Sequence, residues 1–328
     1  MSYAEANRRY FEYATSFFNS QNEIILIHHS AISDSYDSKP WFKVVNDRVA
    51  TTLRSDLSWV GIPFTDSTTQ PVRLLDYACG TGLMTRVFGP YVTSTQGIDI
   101  SPNMVSTYNT RARDAGLSED VVNAIVGDLF DKSDPNPESL SGDRFWNFDI
   151  ATVGFGFHHF EDVVFAARQL KERLRPGGVL VINDFLEGGD LLAGEDGSMI
   201  EGSEGNHAVH GHGHHHGHGE GKGSGSHGHG HGHHHGHHHH HDAEKKHDVG
   251  ESNPEFRQKM NASIVVPHFT IDGVKQFFAE AGFVDVDVIT MKERSYMEFG
   301  GKKLWRTILF ARGRRPMEGQ DGSGKSEL

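Results

Sequence analysis

The chain has 328 residues, enough for one large domain or two small ones, a formal charge of −13 and a single cysteine, Cys79. That acidic balance, with no basic stripe against it, excludes nucleic acid and anionic membrane as expected partners. One cysteine excludes an intramolecular disulfide and suits a reducing compartment. The N-terminus has no apolar core of signal-peptide type and no run approaches a membrane span, so a cytoplasmic and/or nuclear location without membrane insertion is expected.

In chain order, Tyr10, Ala14, Phe17 and Phe18 fall at helical spacing. A second helix follows in "SKPWFKVVNDRVATTLRSDL", with Ser38 as N-cap, Pro40 in the first turn, and Trp41, Val44, Val45, Val49, Leu53 and Leu57 on one apolar face. Both belong to an N-terminal helical cap over residues 1–60, and packing accounts for all these apolar side chains. From residue 72 short apolar runs alternate with helical ones. "VRLLDYA", "TSTQGIDI", "VVNAIVGDL", "FDIATVGFGF" and "GVLVINDF" read as strands. "TGLMTRVFGPYV", "SPNMVSTYNTRARDAG" and "EDVVFAARQLKERLRPGG" read as helices, the last ending at Pro176-Gly177. This alternation predicts an α/β fold, a Rossmann-like, doubly wound, mostly parallel seven-stranded sheet with helices on both faces.

The pattern stops over residues 187–253, where nineteen of the 24 histidines fall between His207 and His247. A segment so rich in Gly, Ser, Glu and His cannot offset its ordering entropy, and is expected to be a disordered insertion. Its imidazoles suit weak, diffuse divalent-metal binding, but no ligand spacing defines a closed site. The fold resumes over 254–314 with a helix capped by Thr270 and stopped by Gly282. "VDVDVITMK" and "KKLWRTILFARG" are then expected to pair as a C-terminal antiparallel hairpin, ahead of a disordered tail over 315–328.

The chemistry concentrates at Gly80-Thr81-Gly82, which leave the first strand and open the next helix. A nicotinamide-binding turn needs G-x-G-x-x-G, but the third position here is Thr85. A Walker loop needs Gly-Lys-Ser/Thr, which is absent, and the Asp76 carboxylate would repel a polyphosphate. A cationic ligand such as S-adenosylmethionine fits better.

"LLDYACGTG" resembles the first motif of class I S-adenosylmethionine-dependent methyltransferases related to those of ubiquinone biosynthesis, with Ala78 where the fullest motif has glycine. Further motifs match in order over a domain spanning 70–186 and 254–314. The resemblance implies that Asp76, Ala78, Gly80 and Gly82 form the cofactor turn. It further implies that Asp99, with Ile100, meets the ribose hydroxyls, and that Asp128, with Leu129, meets the adenine amino group. Gly154, in "FDIATVGFGFHHF", would face the methyl group. Tyr36, in "YDSKPW", is similar to an N-terminal segment that covers the cofactor. The implied activity is in-line methyl transfer to a small-molecule or protein acceptor, with a heteromeric protein partner as a further expectation. A base is needed only if the acceptor must lose a proton; His158, His159 and His268 are the candidates, with packing or helix capping as the alternative for His158. Cys79 reads better as a small buried residue than as a reactive thiol. The other readings are a cofactor-binding regulatory subunit with little activity, or a metal-binding protein that uses the insertion.

Overall fold

The computed structural model describes residues 39–208, 264–299, 301–317 and 319. The helix expected over 4–18, Tyr36, and all of the histidine tract after His207 lie outside those residues. The first described helix, α1 (Pro40–Ser55), has Pro40 in its first turn and buries Val45, Asn46, Val49 and Leu53. Val44, expected on the apolar face, is 49% exposed. At about 100° per residue, the face centred on Val45 and Val49 turns Val44 toward solvent.

The main sheet contains β1 (Arg73–Tyr77), β2 (Ser94–Asp99), β3 (Val122–Val126), β4 (Phe148–Gly154), β5 (Leu174–Phe185), β7 (Val284–Thr290) and β10 (Ile308–Arg314). Their order is β3-β2-β1-β4-β5-β10-β7. The first five are parallel, and β10 lies antiparallel between β5 and β7. Helices α2 (Leu83–Phe88), α3 (Pro102–Asp114), α4 (Val163–Arg173) and α5 (Ile271–Glu280) complete the layers. Alternation along β5 shows how both faces are covered. Val179 and Val181 join the cluster containing Val45, Val49, Met84 and Val87 from α1 and α2. Leu180 and Ile182 join the opposite one, with Leu170 of α4 and Phe277 and Phe278 of α5. Ser101 and Thr270 cap α3 and α5 as expected, accepting from Met104 N and Gly273 N.

Three boundaries differ from the sequence expectation. Helix α4 stops at Arg173, short of Pro176-Gly177, and the chain is extended from Leu174. Pro176 disfavours a helical Arg175 and cannot donate, so the last turn gives way to strand. The strand expected over 302–313 divides at Thr307 into β9 (Lys302–Arg306) and β10. Strand β10 pairs with β7, while β9 pairs with β8 (Ser295–Phe299) and, on its other side, with β6 (Leu191–Leu192), in a second sheet of order β6-β9-β8. The third difference is at residues 187–208, expected to open the disordered insertion. They carry β6 (Leu191–Leu192) and two bridges, Asp190↔Gly205 and Ala193↔Met199. Ala208 is buried there, its N–H donating to Asp190 Oδ2. Asp190 also forms a buried ion pair with Arg306 at 2.9 Å, so a desolvated charge pair roots this segment against the end of β9.

Candidate active site

A cavity of about 620 Å3 runs along the carboxyl ends of β1 to β5, where an open parallel sheet offers a ligand crevice. The volume lies within the range of small-molecule sites. Its two ends differ in chemistry. Ala78, Gly80, Asp99, Ile100 and Asp128 line it at β1–β3. At β4–β5 the wall comes from His158, Phe155 and Phe185, with Trp41, Phe42 and Asn46 of α1 and Met297 of β8.

The turn after β1 is built by left-handed backbone at Ala78 (φ 51°), Gly80 (φ 50°) and Gly82 (φ 90°). A Cβ on Gly80 would meet no atom within 4 Å and would project into open space, so the turn leaves room for a ligand. A Cβ on Gly82 would lie 3.1 Å from the Tyr108 ring, so this glycine serves close packing of the turn on α3. Gly82 is absent from the cavity wall. Ala78 carries a Cβ in a region that costs L-residues roughly 1–2 kcal/mol.

Asp76 lies beneath the turn, not on the cavity wall. Its Oδ2 accepts from Thr85 N (2.9 Å) and Thr85 Oγ1 (2.6 Å), and its Oδ1 from Thr152 Oγ1 (3.3 Å). Burial raises its pKa to about 7 against the opposing effect of these donors. The chain therefore uses Asp76 to brace the turn against α2. Thr85, where a dinucleotide fold would have glycine, is the partner in that brace.

Asp99 and Asp128 stand where the sequence places them, at the ends of β2 and β3. Asp99 accepts from Gly80 N (2.8 Å) and Ser101 N (2.9 Å), which fixes both carboxylate oxygens at the cavity wall. Burial raises its pKa to about 6, with the two backbone donors acting against it. Asp128 Oδ1 accepts from Phe130 N (2.8 Å) and Tyr77 Oη (3.3 Å), and the Tyr77 ring packs at a tilt against Phe130, centroids 4.5 Å apart. Ile100 and Gly154 also line the cavity, whereas Leu129 is fully buried in the core. Cys79 is a buried wall residue whose thiol burial pushes well above the ordinary range. An open glycine turn flanked by two strand-end carboxylates fits a cofactor with hydroxyl and amino donors, which is the donor set of S-adenosylmethionine.

At the other end, His158 follows β4 and is only 7% exposed. Its Nδ1 lies 3.0 Å and 3.2 Å from the two oxygens of Asp184, the next-to-last residue of β5. Asp184 also accepts from His158 N (3.1 Å) and Phe185 N (2.9 Å). A carboxylate facing Nδ1 places the ring proton there and leaves Nε2 as the free nitrogen of a wall residue. His159 lines the same wall, its ring 4.1 Å from that of His158. Backbone N–H groups of Val265 and Val266 donate to the His158 carbonyl, so the chain beyond the insertion holds this corner in place.

His268 is not brought to the cavity. Its ring nitrogens are buried without a hydrogen-bond partner among the described residues, and desolvation, then the Arg306 charge, lowers its pKa. The residues that sequence reasoning missed are Asp184, Asn46, Phe155, Phe185 and Met297. Asp184 had a signal: two parallel strands in succession, one followed by His, the other ending in Asp. Among the described residues no group of three or more His, Cys, Asp or Glu is placed to hold a metal, and no helix is long and apolar enough to cross a membrane.

Comparison with known proteins agrees with this geometry. An uncharacterized methyltransferase of Schizosaccharomyces pombe is 32% identical over 152 residues, covering 46% of this chain and 51% of that protein. The chain thus spans about half the length of that relative. The ubiquinone/menaquinone biosynthesis C-methyltransferase UbiE of Shewanella baltica is 27% identical over 191 residues, covering 56% and 68%. Among solved structures, phosphoethanolamine N-methyltransferase 2 of Haemonchus contortus in complex with S-adenosyl-L-methionine superposes with a TM-score of 0.44 at 10% identity, covering 87% of this chain and 60% of that one. The family model described as a methyltransferase domain matches residues 47–288. With that match over most of the chain and the glycine turn and strand-end carboxylates in order, the chain belongs to the methyltransferase-domain family.

Proposed function

We propose that the chain methylates a small-molecule acceptor that must lose a proton, with His158 as general base and Asp184 as its positioning partner. The observation that carries this reading is the His158–Asp184 contact of 3.0 Å at the cavity wall. When bound, S-adenosylmethionine supplies a methyl group on a positively charged sulfur, a leaving group that needs no protonation. The residues of this chain then have two tasks, to align the acceptor and to remove its proton. His158 Nε2 accepts the proton, and the resulting imidazolium is stabilised by the Asp184 carboxylate against Nδ1. Apolar walls from Trp41, Phe42, Phe155 and Phe185 exclude water and raise the strength of that interaction.

A cavity of about 620 Å3, in the size range of small-molecule sites, supports a small acceptor over a protein segment. A base also suits carbon acceptors with an acidic C–H, consistent with the C-methyltransferase name of the Shewanella relative. In a screen with labelled S-adenosylmethionine, His158→Ala is expected to lower turnover by about 100-fold or more while leaving cofactor affinity unchanged. Asp184→Asn is expected to lower it too, by favouring the wrong ring tautomer, with little change in acceptor KM. Wild-type turnover in folded His158→Ala would show that alignment alone drives the transfer.

A further inference from the structure

The acceptor end of the cavity contains a polar group that base catalysis does not use. Asn46 sits on α1 between Val45 and Asp47, is 8% exposed and lines the cavity with Trp41 and Phe42. Its amide Oδ1 is buried and has no hydrogen-bond partner among the described residues. Buried amides are nearly always paired, because desolvation of an unpaired one is costly. An orphaned oxygen on a cavity wall is therefore poised for a ligand donor. The surroundings define the rest of that ligand. Phe155 and Phe185 stack at 5.1 Å, His158 lies 5.7 Å from Phe185, and Met297 closes the side formed by the second sheet. Lys132 is the one Lys or Arg on the described wall, and its Nζ lies 2.7 Å from Asp162, beyond β3 at the cofactor end. Among the described residues no Lys or Arg lines the acceptor end.

Resting on the reading of His158 as base, we propose that Asn46 is a specificity-determining residue that accepts a hydrogen bond from a second hydroxyl or N–H of the acceptor. The acceptor is then an uncharged, mainly aromatic or aliphatic molecule with two polar groups, one set against His158 and methylated, the other held by Asn46. Sites built to bond a hydroxyl reject the analogue lacking it far more strongly than apolar pockets reject a missing methylene. Asn46 would make this site selective in that way, at the expense of an unsatisfied group in the free protein.

The test uses the full chain with S-adenosylhomocysteine, and the probes 4-tert-butylcatechol and 4-tert-butylphenol, which differ by one hydroxyl. Calorimetry on the wild type is expected to show the catechol binding about tenfold tighter than the phenol. Asn46→Leu should bring the two within about twofold, leave S-adenosylhomocysteine affinity unchanged, and raise the melting temperature by about 2–6 °C. A melting temperature that falls in Asn46→Leu while the catechol preference persists would make Asn46 a structural amide and overturn the inference. So would a wild type that binds neither probe or both equally. Loss of S-adenosylhomocysteine binding by the wild type would overturn the reading of the whole site, and is visible in the same titration.

Discussion

Asp76 offers the sharpest test of how the glycine turn is held. The perturbation is Asp76→Asn. In the folded protein Asp76 keeps its proton to about pH 7, whereas an ordinary aspartate releases it near 3.8. Between those values the unfolded chain binds fewer protons than the folded one, so stability falls as pH rises through the window and levels off above 7. A gap of about three pH units corresponds to roughly 4 kcal/mol of stability present at pH 4 and lost by pH 8. Asparagine never ionises. Its oxygen can accept from Thr85 N and Oγ1 as the carboxylate does, and its amide can donate to Thr152 Oγ1, which lies 3.3 Å from Asp76 Oδ1. The variant is expected to match wild type near pH 4.5 and to exceed it by roughly 4 kcal/mol at pH 8. Urea unfolding at four pH values, with the slope m checked for constancy, measures the difference. If the gap between the two proteins stays flat or reverses with pH, the Thr85 donors outweigh burial and the reasoning fails.

Two further outcomes follow from the cofactor end. Asp99 must be ionised to accept two hydroxyl donors, and its pKa is near 6, so S-adenosylmethionine affinity should fall by up to about tenfold per pH unit below 6 and be flat above 7. Asp99→Ala should cost about one to two decades of affinity and abolish that pH dependence, as read by calorimetry. The two turn glycines should separate: Gly82→Ala drives a Cβ against Tyr108 and lowers the melting temperature. Gly80→Ala meets no protein atom, carries the strain of a left-handed alanine, and lowers cofactor affinity more than stability. Equal loss of stability in both would mean that the turn does not divide its work in this way.

What was legible in the sequence is what local rules decide. Ser101 and Thr270 announce their helices because a cap acts within three residues. Asp99 and Asp128 announce themselves because each ends an apolar run, and a parallel sheet delivers all such ends to one edge. Strand β8 escaped because "SYMEF" lies between two stronger runs and is stabilised by pairing with β9 rather than by its own pattern. Asp76 reads as part of the cofactor turn, but its donors Thr85 and Thr152 come from α2 and β4, and only the packing of those elements against β1 shows that Thr85 claims it. Asn46 was invisible for a related reason. A single polar residue on an apolar helical face reads as an interruption until the cavity behind it is seen.

His158 and Asp184 show most clearly where sequence reasoning stops and topology begins. They are 26 residues apart, separated by the whole of α4, and each alone has a bland explanation. The register Gly154↔Asn183 brings the ends of β4 and β5 side by side, so the residue after Asn183 falls beside the short loop that carries His158. A right-handed crossover through α4 makes that adjacency the default for successive parallel strands. A histidine just beyond one strand and an acid at the end of the next are then neighbours by construction. The same geometry explains why His268, beside Phe269 at the β5 edge, stands off the cavity wall. It sits on the connecting segment outside the parallel strand ends, beside Arg306, where burial and a neighbouring cation both disfavour its taking up a proton.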